Sequence, residues 1–238
     1  MQEAIILAGG LGTRLKSVLP DTPKCMAPIA GKPFLDYLIR SLQKKGIEKF
    51  IFSLGYKYEI IVEYLEKEFP NLNYKSSIEE TPLGTGGAIK LAASLGEGKT
   101  LMVANGDTFF DINPGPIEAF HHMCGAHCTL ALKPMVNFDR YGVVELNKDY
   151  SISAFKEKKF YESGLINGGI YFLNKGKFLD EDLPDQFSFE KDYLEKFAGQ
   201  RRIFGVAQDV YFIDIGIPED YIKAQQELPL QIQTNQSK

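Results

Sequence analysis

An apolar run that leads directly into a cluster of glycines constrains the fold of this chain most. Residues 4–8 are all apolar, as expected for a strand that is buried on both faces of a parallel sheet. Gly9, Gly10 and Gly12 follow at once, and glycine permits both a sharp turn and a close approach of the backbone to a ligand. Backbone N–H groups exposed in such a turn suit an anion. The sequence therefore predicts an anion-binding loop at the carboxyl end of a central strand.

Two cations follow these glycines and favour phosphate as the anion. Arg14 lies within the loop and Lys24 follows a proline, and a guanidinium paired with a mobile ammonium is common in phosphate sites. A P-loop needs Gly-Lys followed by Ser or Thr, whereas here Thr13 and Arg14 follow the last glycine. A dinucleotide fingerprint needs a third glycine where this chain has Leu15. The pattern predicts a nucleoside triphosphate site of neither type.

Composition excludes several other classes of protein. The chain has 238 residues, of which 44% are hydrophobic, which is enough for one large domain or two small ones. Its net charge of −4 argues against general nucleic-acid binding, and no apolar run approaches the roughly 20 residues of a membrane span. The first residues do not resemble a signal peptide, so we expect a cytoplasmic protein. Residues 121–128 contain His and Cys, but no second cluster completes a four-ligand zinc site.

The hydrophobic pattern predicts an α/β fold. Through residue 111, strands alternate with helices, which is typical of a doubly wound parallel sheet. The predicted strands cover residues 4–8, 49–54, 73–77 and 99–104, and the helices begin at residues 33, 58 and 85. Later strands are predicted at residues 129–133, 143–146, 152–155, 170–173 and 203–206, with helices at 189–197 and from 218 to about 226. Ligands of such sheets bind at the carboxyl ends of the strands, where both the glycine loop and Asp107 fall.

Several motifs together resemble the signature of a known family, the sugar-1-phosphate nucleotidyltransferases, which make nucleotide sugars. These motifs are Gly9-Gly10-Leu11-Gly12-Thr13-Arg14-Leu15 with Pro23-Lys24, Pro82-Leu83-Gly84-Thr85-Gly86-Gly87-Ala88, Asn105-Gly106-Asp107, Glu157-Lys158, Ile166-Asn167-Gly168-Gly169 and Asp214-Ile215-Gly216. Within this family the chain is similar to the D-glycero-α-D-manno-heptose 1-phosphate guanylyltransferases. That finer similarity rests on Leu83-Gly84-Thr85-Gly86-Gly87, Phe138-Asp139-Arg140-Tyr141-Gly142 and Phe187-Ser188-Phe189-Glu190.

The resemblance implies a Rossmann-like doubly wound mixed sheet of the GT-A-like type, in a single domain. Residues 1–230 would form this domain, with a nucleotide-binding half at 1–111 and a sugar-phosphate-binding half at 112–230. Residues 231–238 would be a polar tail. The implied reaction joins a nucleoside triphosphate to a sugar 1-phosphate and releases pyrophosphate. Positioning and charge neutralisation suffice for such a transfer, so no side-chain nucleophile is needed.

The resemblance also implies the residues of the site. Arg14, Lys24, Asp107 and Asp214 would be catalytic, and the two aspartates, each at the end of an apolar strand, would hold Mg²⁺. The nucleotide would contact Leu7, Ala8, Gly9, Gly10, Gly12, Thr13, Arg14, Lys24, Glu79, Pro82, Gly84, Thr85, Asn105 and Gly106. The sugar phosphate would contact Gly142, Glu157, Lys158 and Asn167.

The base, the sugar and the assembly are less constrained by the sequence. Guanine presents N–H donors at N1 and N2, so a carboxylate of Glu79 or Glu80 would favour GTP. Mannose 1-phosphate with GTP, or a hexose 1-phosphate with UTP or CTP, is an alternative within the class. A sensor of nucleotide sugars that lacks catalysis is an alternative outside it. The sequence also leaves open whether the chain forms a homo-oligomer.

Overall fold

The structure is a computed structural model that describes residues 2–10 and 22–234, the last three by their backbone only. Its strands are β1 (Glu3–Leu7), β2 (Pro28–Ile29), β3 (Lys32–Pro33), β4 (Lys49–Leu54), β5 (Asn73–Ile78), β6 (Thr100–Asn105), β7 (Thr108–Phe110), β8 (Cys128–Phe138), β9 (Val144–Leu146), β10 (Ile152–Phe155), β11 (Tyr161–Asn174), β12 (Ile203–Ala207) and β13 (Phe212–Asp214). Its helices are α1 (Phe34–Lys44), α2 (Tyr58–Glu68), α3 (Gly84–Ser94), α4 (Pro114–Met123), α5 (Lys175–Leu179) and α6 (Pro218–Thr234). A 3-10 turn covers Lys24–Met26, and a π-helix covers Phe189–Glu195.

The predicted mixed α/β sheet is confirmed. In the described residues, seven strands form one sheet in the order β12, β8, β11, β6, β1, β4, β5. β11 runs antiparallel to both of its neighbours, and the other pairs in this sheet are parallel. Strands from both halves of the chain therefore share one sheet, and the carboxyl ends of β1, β4, β5 and β6 lie along one edge.

Helices cover both faces of this sheet. Successive side chains of a strand point to opposite faces, and β1 shows this directly. Ile6 packs with the apolar residues of α1 and α2, whereas Ile5 packs with those of α3 and the π-helix. A third cluster joins α6 to β13 and Phe34. The sheet is thus the middle layer of three, and its strand ends are free to form a site.

Several elements differ from the prediction, among them β8, which continues to Phe138 rather than ending at residue 133. β11 extends over fourteen residues rather than residues 170–173, because a bulge between Asn167 and Ile170, with Gly169 at φ +72°, absorbs the glycines inside the strand. The segment predicted as a helix at 189–197 is a π-helix. α6 continues past Pro229 to Thr234 rather than ending near residue 226, and the fully buried Leu228 gives it a tertiary anchor.

None of the helices in the part of the chain described here is both long and apolar enough to span a membrane.

Candidate active site

A cleft of about 710 Å³ lies at the carboxyl ends of β1, β4, β5 and β6. Gly9 and Gly10 follow β1 and line the cleft, as do Gly55 and Tyr56, which follow β4. Asn105, Gly106 and Asp107 continue from β6. This is the edge of the sheet at which the sequence predicted a ligand.

The glycines at this edge allow the backbone segments to approach each other. A Cβ on Gly9 would lie 2.9 Å from Glu79 Oε1 and 3.2 Å from the backbone nitrogen of Gly55. A Cβ on Gly106 would lie 2.6 Å from the carbonyl oxygen of Leu7, which accepts a hydrogen bond from the Gly106 N–H at 2.9 Å. Any larger residue would push these segments apart, so the close packing of the strand ends explains both glycines.

Lys24 and Asp107 line the cleft, and Asp214 lies beside them without being one of its lining residues. The Lys24 ammonium donates to Asp107 Oδ2 and lies 3.8 Å from Asp214 Oδ1. The aspartates converge because β7 and β13 pair antiparallel, with Asp214 opposite Thr108. This short ladder was not predicted as such, although Asp107 and Asp214 were both placed after apolar strands. The structure thus brings three of the four predicted catalytic residues together.

The electrostatics of this group favour an additional positive charge. The pKa of Asp214 is raised above its ordinary value, first by burial and then by the negative charge of Asp107, while Lys24 opposes the shift. Asp214 Oδ1 accepts the backbone N–H of Gly216 at 2.8 Å, which fixes the orientation of the carboxylate. Two oxygen ligands from carboxylates that repel each other fit a hard divalent cation. In the described residues, no group of three or more His, Cys, Asp and Glu side chains could hold a metal ion.

Cys25 lies beside Lys24 but is not a reactive thiol. It is buried, and burial, together with the charge of Asp107, raises the pKa of the Cys25 thiol to about 12. A thiol with such a pKa stays protonated at neutral pH and is a poor nucleophile.

The loop that precedes β9 contacts one of these two carboxylates, that of Asp214. The Tyr141 hydroxyl is 3.5 Å from Asp214 Oδ2, and the Tyr141 ring packs edge-on against Phe212 of β13. Arg140 pairs with Asp220 at the start of α6. This pair connects the loop to α6, and the Arg140 guanidinium also lies over the ring of Tyr141.

Most residues predicted to bind the nucleotide line this cleft. They are Leu7, Ala8, Gly9, Gly10, Lys24, Glu79, Pro82, Gly84, Thr85, Asn105 and Gly106. Gly12, Thr13 and Arg14 lie outside the described residues. Glu80, the other candidate for contact with the base, also lines the cleft.

Glu79 is held in place by the loop that leads into α3. Its Oε2 accepts the backbone N–H of Leu83 at 2.9 Å, and its own backbone N–H donates to the carbonyl oxygen of Leu54 at 2.9 Å. One bond therefore orients the Glu79 carboxylate, and the other fixes its backbone at the β5 end of the cleft.

The glycine motif at the start of α3 packs against the segment that precedes the π-helix. Gly84 has φ +71°, and a Cβ there would lie 2.5 Å from the carbonyl oxygen of Phe187. A Cβ on Gly86 would overlap the Phe187 ring, and the Gly86 N–H donates to the Phe187 carbonyl oxygen at 2.9 Å. Two motifs from opposite halves of the chain are therefore one packing unit.

This packing brings Glu190, which was not predicted as a site residue, into the cleft. Thr85 Oγ1 donates to Glu190 Oε2 at 2.8 Å and accepts the backbone N–H of Phe189 at 2.9 Å. The Thr85 hydroxyl therefore ties α3 to the π-helix, whatever else it contacts. The motif Phe187-Ser188-Phe189-Glu190 was a signal in the sequence for this residue, but it had no assigned partner.

The four residues predicted to bind the sugar phosphate are not among the described residues that line the cleft. Asn167 lies in the β11 bulge, where its Oδ1 accepts the Gly169 N–H at 3.0 Å and its Nδ2 donates to the Tyr171 hydroxyl at 2.9 Å. A Cβ on Gly169 would lie 2.7 Å from Asn105 Nδ2, so the bulge is directly beside the cleft. Asn167 is thus held close to the nucleotide residues.

The other three residues, Gly142, Glu157 and Lys158, lie in or against the exposed segment between β10 and β11. Glu157 and Lys158 belong to this segment, and both residues are exposed to solvent. A Cβ on Gly142 would overlap the carbonyl oxygen of Lys156. The absence of a side chain at Gly142 is therefore required by backbone packing, a reason that the sequence did not reveal.

Comparisons with known proteins agree with this geometry. The chain is 49% identical, over 95% of its length and 98% of the relative, to a D-glycero-alpha-D-manno-heptose 1-phosphate guanylyltransferase of Aneurinibacillus thermoaerophilus. It is 48% identical to a protein of the same name from Campylobacter jejuni, over 92% of this chain and 96% of that one. The crystal structure of HddC from Yersinia pseudotuberculosis complexed with GMP-PN matches with a TM-score of 0.85 and 40% identity, and covers 95% of this chain and 99% of that one.

The family model described as nucleotidyl transferase matches residues 3–231. The match extends from β1 into α6 and so includes every element that lines the cleft. The chain therefore belongs to the nucleotidyl transferase family.

Proposed function

We propose that this chain transfers a guanylyl group from GTP to D-glycero-α-D-manno-heptose 1-phosphate and releases pyrophosphate. The observation that supports a nucleotidyl transfer is the convergence of Lys24, Asp107 and Asp214 beside Gly9 and Gly10. The choice of GTP and of the heptose is supported by the relatives that share almost half of its residues and by the HddC structure complexed with GMP-PN. We place the reaction in the cytoplasm, where nucleoside triphosphates are abundant.

The chemistry requires alignment of two polyanions. A phosphate oxygen of the sugar phosphate attacks the α-phosphorus of GTP, the bond from the α-phosphorus to the bridging oxygen breaks, and pyrophosphate leaves on the opposite side. We propose that the Lys24 ammonium neutralises charge that the nucleophile and the leaving group share, which lowers the barrier more than it tightens binding. Arg14 stays a prediction for the same role.

We propose that Asp107 and Asp214 hold a divalent cation, the usual cofactor of this family. Mg²⁺ fits best, because it often takes one or two carboxylates and completes its shell with phosphate oxygens and water. When bound, it would supply positive charge at the triphosphate. The raised pKa of Asp214 supports this assignment, because the charge repulsion responsible for part of it is relieved by a cation.

We propose Glu79 as the residue that selects guanine. The Leu83 N–H occupies Glu79 Oε2 and orients the carboxylate, so Oε1 can accept from the N1–H and N2–H₂ groups of the base. Adenine lacks this pair of donors on its pairing edge. Glu80 lines the same end of the cleft and is the alternative acceptor.

We propose that the sugar phosphate lies against the β11 side of the cleft. Asn167 is held there by Tyr171 and Gly169, next to Asn105. Lys158 would bind the phosphate and Glu157 a hydroxyl, which requires their exposed segment to face the ligand. Gly142 supports the backbone on which Lys156 and Glu157 sit.

A substrate panel tests the proposal. The purified protein is incubated with Mg²⁺, each of the four nucleoside triphosphates and a set of sugar 1-phosphates that includes the heptose, mannose and glucose compounds, and pyrophosphate release is measured. We expect the highest kcat/KM for GTP with the heptose 1-phosphate. Equal use of UTP or CTP would refute the guanylyltransferase assignment. If no combination of nucleotide and sugar 1-phosphate releases pyrophosphate, the proposed enzymatic activity is refuted.

A further inference from the structure

Glu190 presents an oriented carboxylate to the cleft from the π-helix. Its Oε2 accepts from Thr85 Oγ1 at 2.8 Å and from Ser188 Oγ at 3.2 Å. Because Thr85 Oγ1 also accepts the Phe189 N–H at 2.9 Å, its single proton is directed at Glu190. Glu190 Oε1 has no hydrogen bond to the part of the chain that the structure describes. One oxygen is thus fixed and the other is available to a ligand.

Glu190 reaches the cleft from a different structural element than Glu79, the residue assigned to the base. Glu79 follows β5 at one edge of the sheet, whereas the π-helix packs against β11 through the Phe189 and Tyr171 rings, whose centroids are 5.0 Å apart. The pKa of Tyr171 is raised mainly by burial and next by the negative charge of Glu190, which agrees with their proximity. Asn167 donates to the same Tyr171 hydroxyl.

The charge of Glu190 restricts what it can contact. A carboxylate is only an acceptor and repels phosphate groups, so among the groups that these anionic substrates carry it can contact a neutral donor such as a hydroxyl. We infer that Glu190 accepts a hydrogen bond from a ring hydroxyl of the sugar phosphate and thereby helps to select the sugar. This inference rests on the proposed nucleotidyl transfer and adds a specificity residue to it. Thr85 and Ser188 are positioning residues that hold the carboxylate for this contact.

The test is a Glu190→Gln substitution, which keeps the size of the side chain and removes its charge. We expect KM for the sugar 1-phosphate to rise about tenfold or more, as for the loss of a hydrogen bond to a charged acceptor, while KM for GTP changes less than twofold. Glu195→Gln, an exposed residue of the same π-helix, is the matched control and should change neither constant. Thr85→Val should reproduce part of the effect, because it releases the carboxylate.

Sugar 1-phosphates that each lack one ring hydroxyl identify the partner. The wild type should lose about tenfold in kcat/KM on one such analogue, and Glu190→Gln should lose nothing further on it. If Glu190→Gln lowers the unfolding temperature, the analogues with the wild type and with Thr85→Val still decide the question.

Three results would overturn the inference: unchanged constants, a rise in KM for GTP alone, which places Glu190 at the ribose, or an equal loss on the analogue by variant and wild type. If the wild type is active and Glu190→Gln has the same kinetic constants as the wild type, only this inference is refuted. A wild type that releases no pyrophosphate with any sugar 1-phosphate refutes the proposed function instead.

Discussion

The backbone N–H of Ile215 donates to the carbonyl oxygen of Asp107 at 3.1 Å. This bond extends the β7–β13 ladder, in which Asp214 lies opposite Thr108. The separation of the two candidate metal ligands is therefore set by backbone pairing rather than by side-chain flexibility. Such a fixed pair is ready for a cation without costly rearrangement.

Neutralising either aspartate should abolish most activity without unfolding the protein. We expect Asp107→Asn and Asp214→Asn each to lower kcat at least about 100-fold, because charge stabilisation at a metal site is worth several kcal/mol. Steady-state pyrophosphate release in Mg²⁺ measures this. Asp209→Asn, which removes an exposed partner of Lys133, is the control and should keep wild-type kcat. Near-normal activity of either variant would show that the residue is not a ligand.

The two lysines should separate kcat from KM. Lys24→Met should mainly lower kcat, since Lys24 contacts the catalytic carboxylates. Lys158→Met should mainly raise KM for the sugar phosphate, because its exposed ammonium would bind the phosphate in ground and transition states alike. Lys159→Met, next to it over the Tyr161 ring, serves as the control. The opposite partition would mean that the two roles are exchanged.

Glu79 should determine the preference for GTP over ATP. A hydrogen bond to a charged acceptor is worth about 1.5–3 kcal/mol, or roughly tenfold to a hundredfold in discrimination. Glu79→Gln should reduce the ratio of kcat/KM values for GTP and ATP by about this factor and should leave the Mg²⁺ requirement intact. If Glu80→Gln reduces the ratio and Glu79→Gln does not, the base contact belongs to Glu80.

Gly142→Ala should act through stability. The added methyl group would overlap the Lys156 carbonyl oxygen, and the backbone shift that avoids this overlap should lower the unfolding free energy by about 1–3 kcal/mol. Urea denaturation measures this cost. Gly10→Ala is a useful comparison of unfolding free energy, because a Cβ there meets no atom of residues 2–10 and 22–234 within 4 Å. A Gly142→Ala protein as stable as the wild type, with a raised KM for the sugar, would restore the original interpretation of a direct approach to the sugar.

His121 should make the fold sensitive to mild acid. Burial lowers the pKa of His121 to about 4, below its ordinary value of 6.5, so the unfolded chain binds this proton more readily. The stability that neutral His121 preserves is present above pH 6.5 and is lost as the pH falls towards 4, by roughly 3 kcal/mol in all. Urea denaturation between pH 7 and 4.5 measures the slope of the unfolding free energy against pH. This slope should be smaller in His121→Leu and unchanged in His122→Gln. An identical slope in His121→Leu would contradict the assignment.

The sequence predicted those parts of the site that follow directly from strand ends. An apolar run followed by glycine, or by Asn105-Gly106-Asp107, has few structural solutions, so β1, β6 and the nucleotide edge of the cleft could be placed. β7 and β13 have three residues each and pair across a long sequence separation, which leaves no local periodicity to detect. Their contact is visible only in the structure.

Packing between distant motifs was also beyond prediction. Gly84 and Gly142 were interpreted as residues that contact a ligand, yet the structure shows protein backbone where their Cβ atoms would be. A glycine in a sequence marks a close approach without identifying the partner. Glu190 was missed for the same reason, because its role depends on the contact with Thr85.

The proposed reaction is tested most directly by product stoichiometry. The folded protein is incubated with GTP, D-glycero-α-D-manno-heptose 1-phosphate and Mg²⁺, and anion-exchange chromatography quantifies pyrophosphate and the GDP-sugar over time. The account predicts equal amounts of the two products, formed only when both substrates are present. Formation of GDP and phosphate without the sugar, or no GDP-sugar from a folded and nucleotide-bound protein, would contradict it.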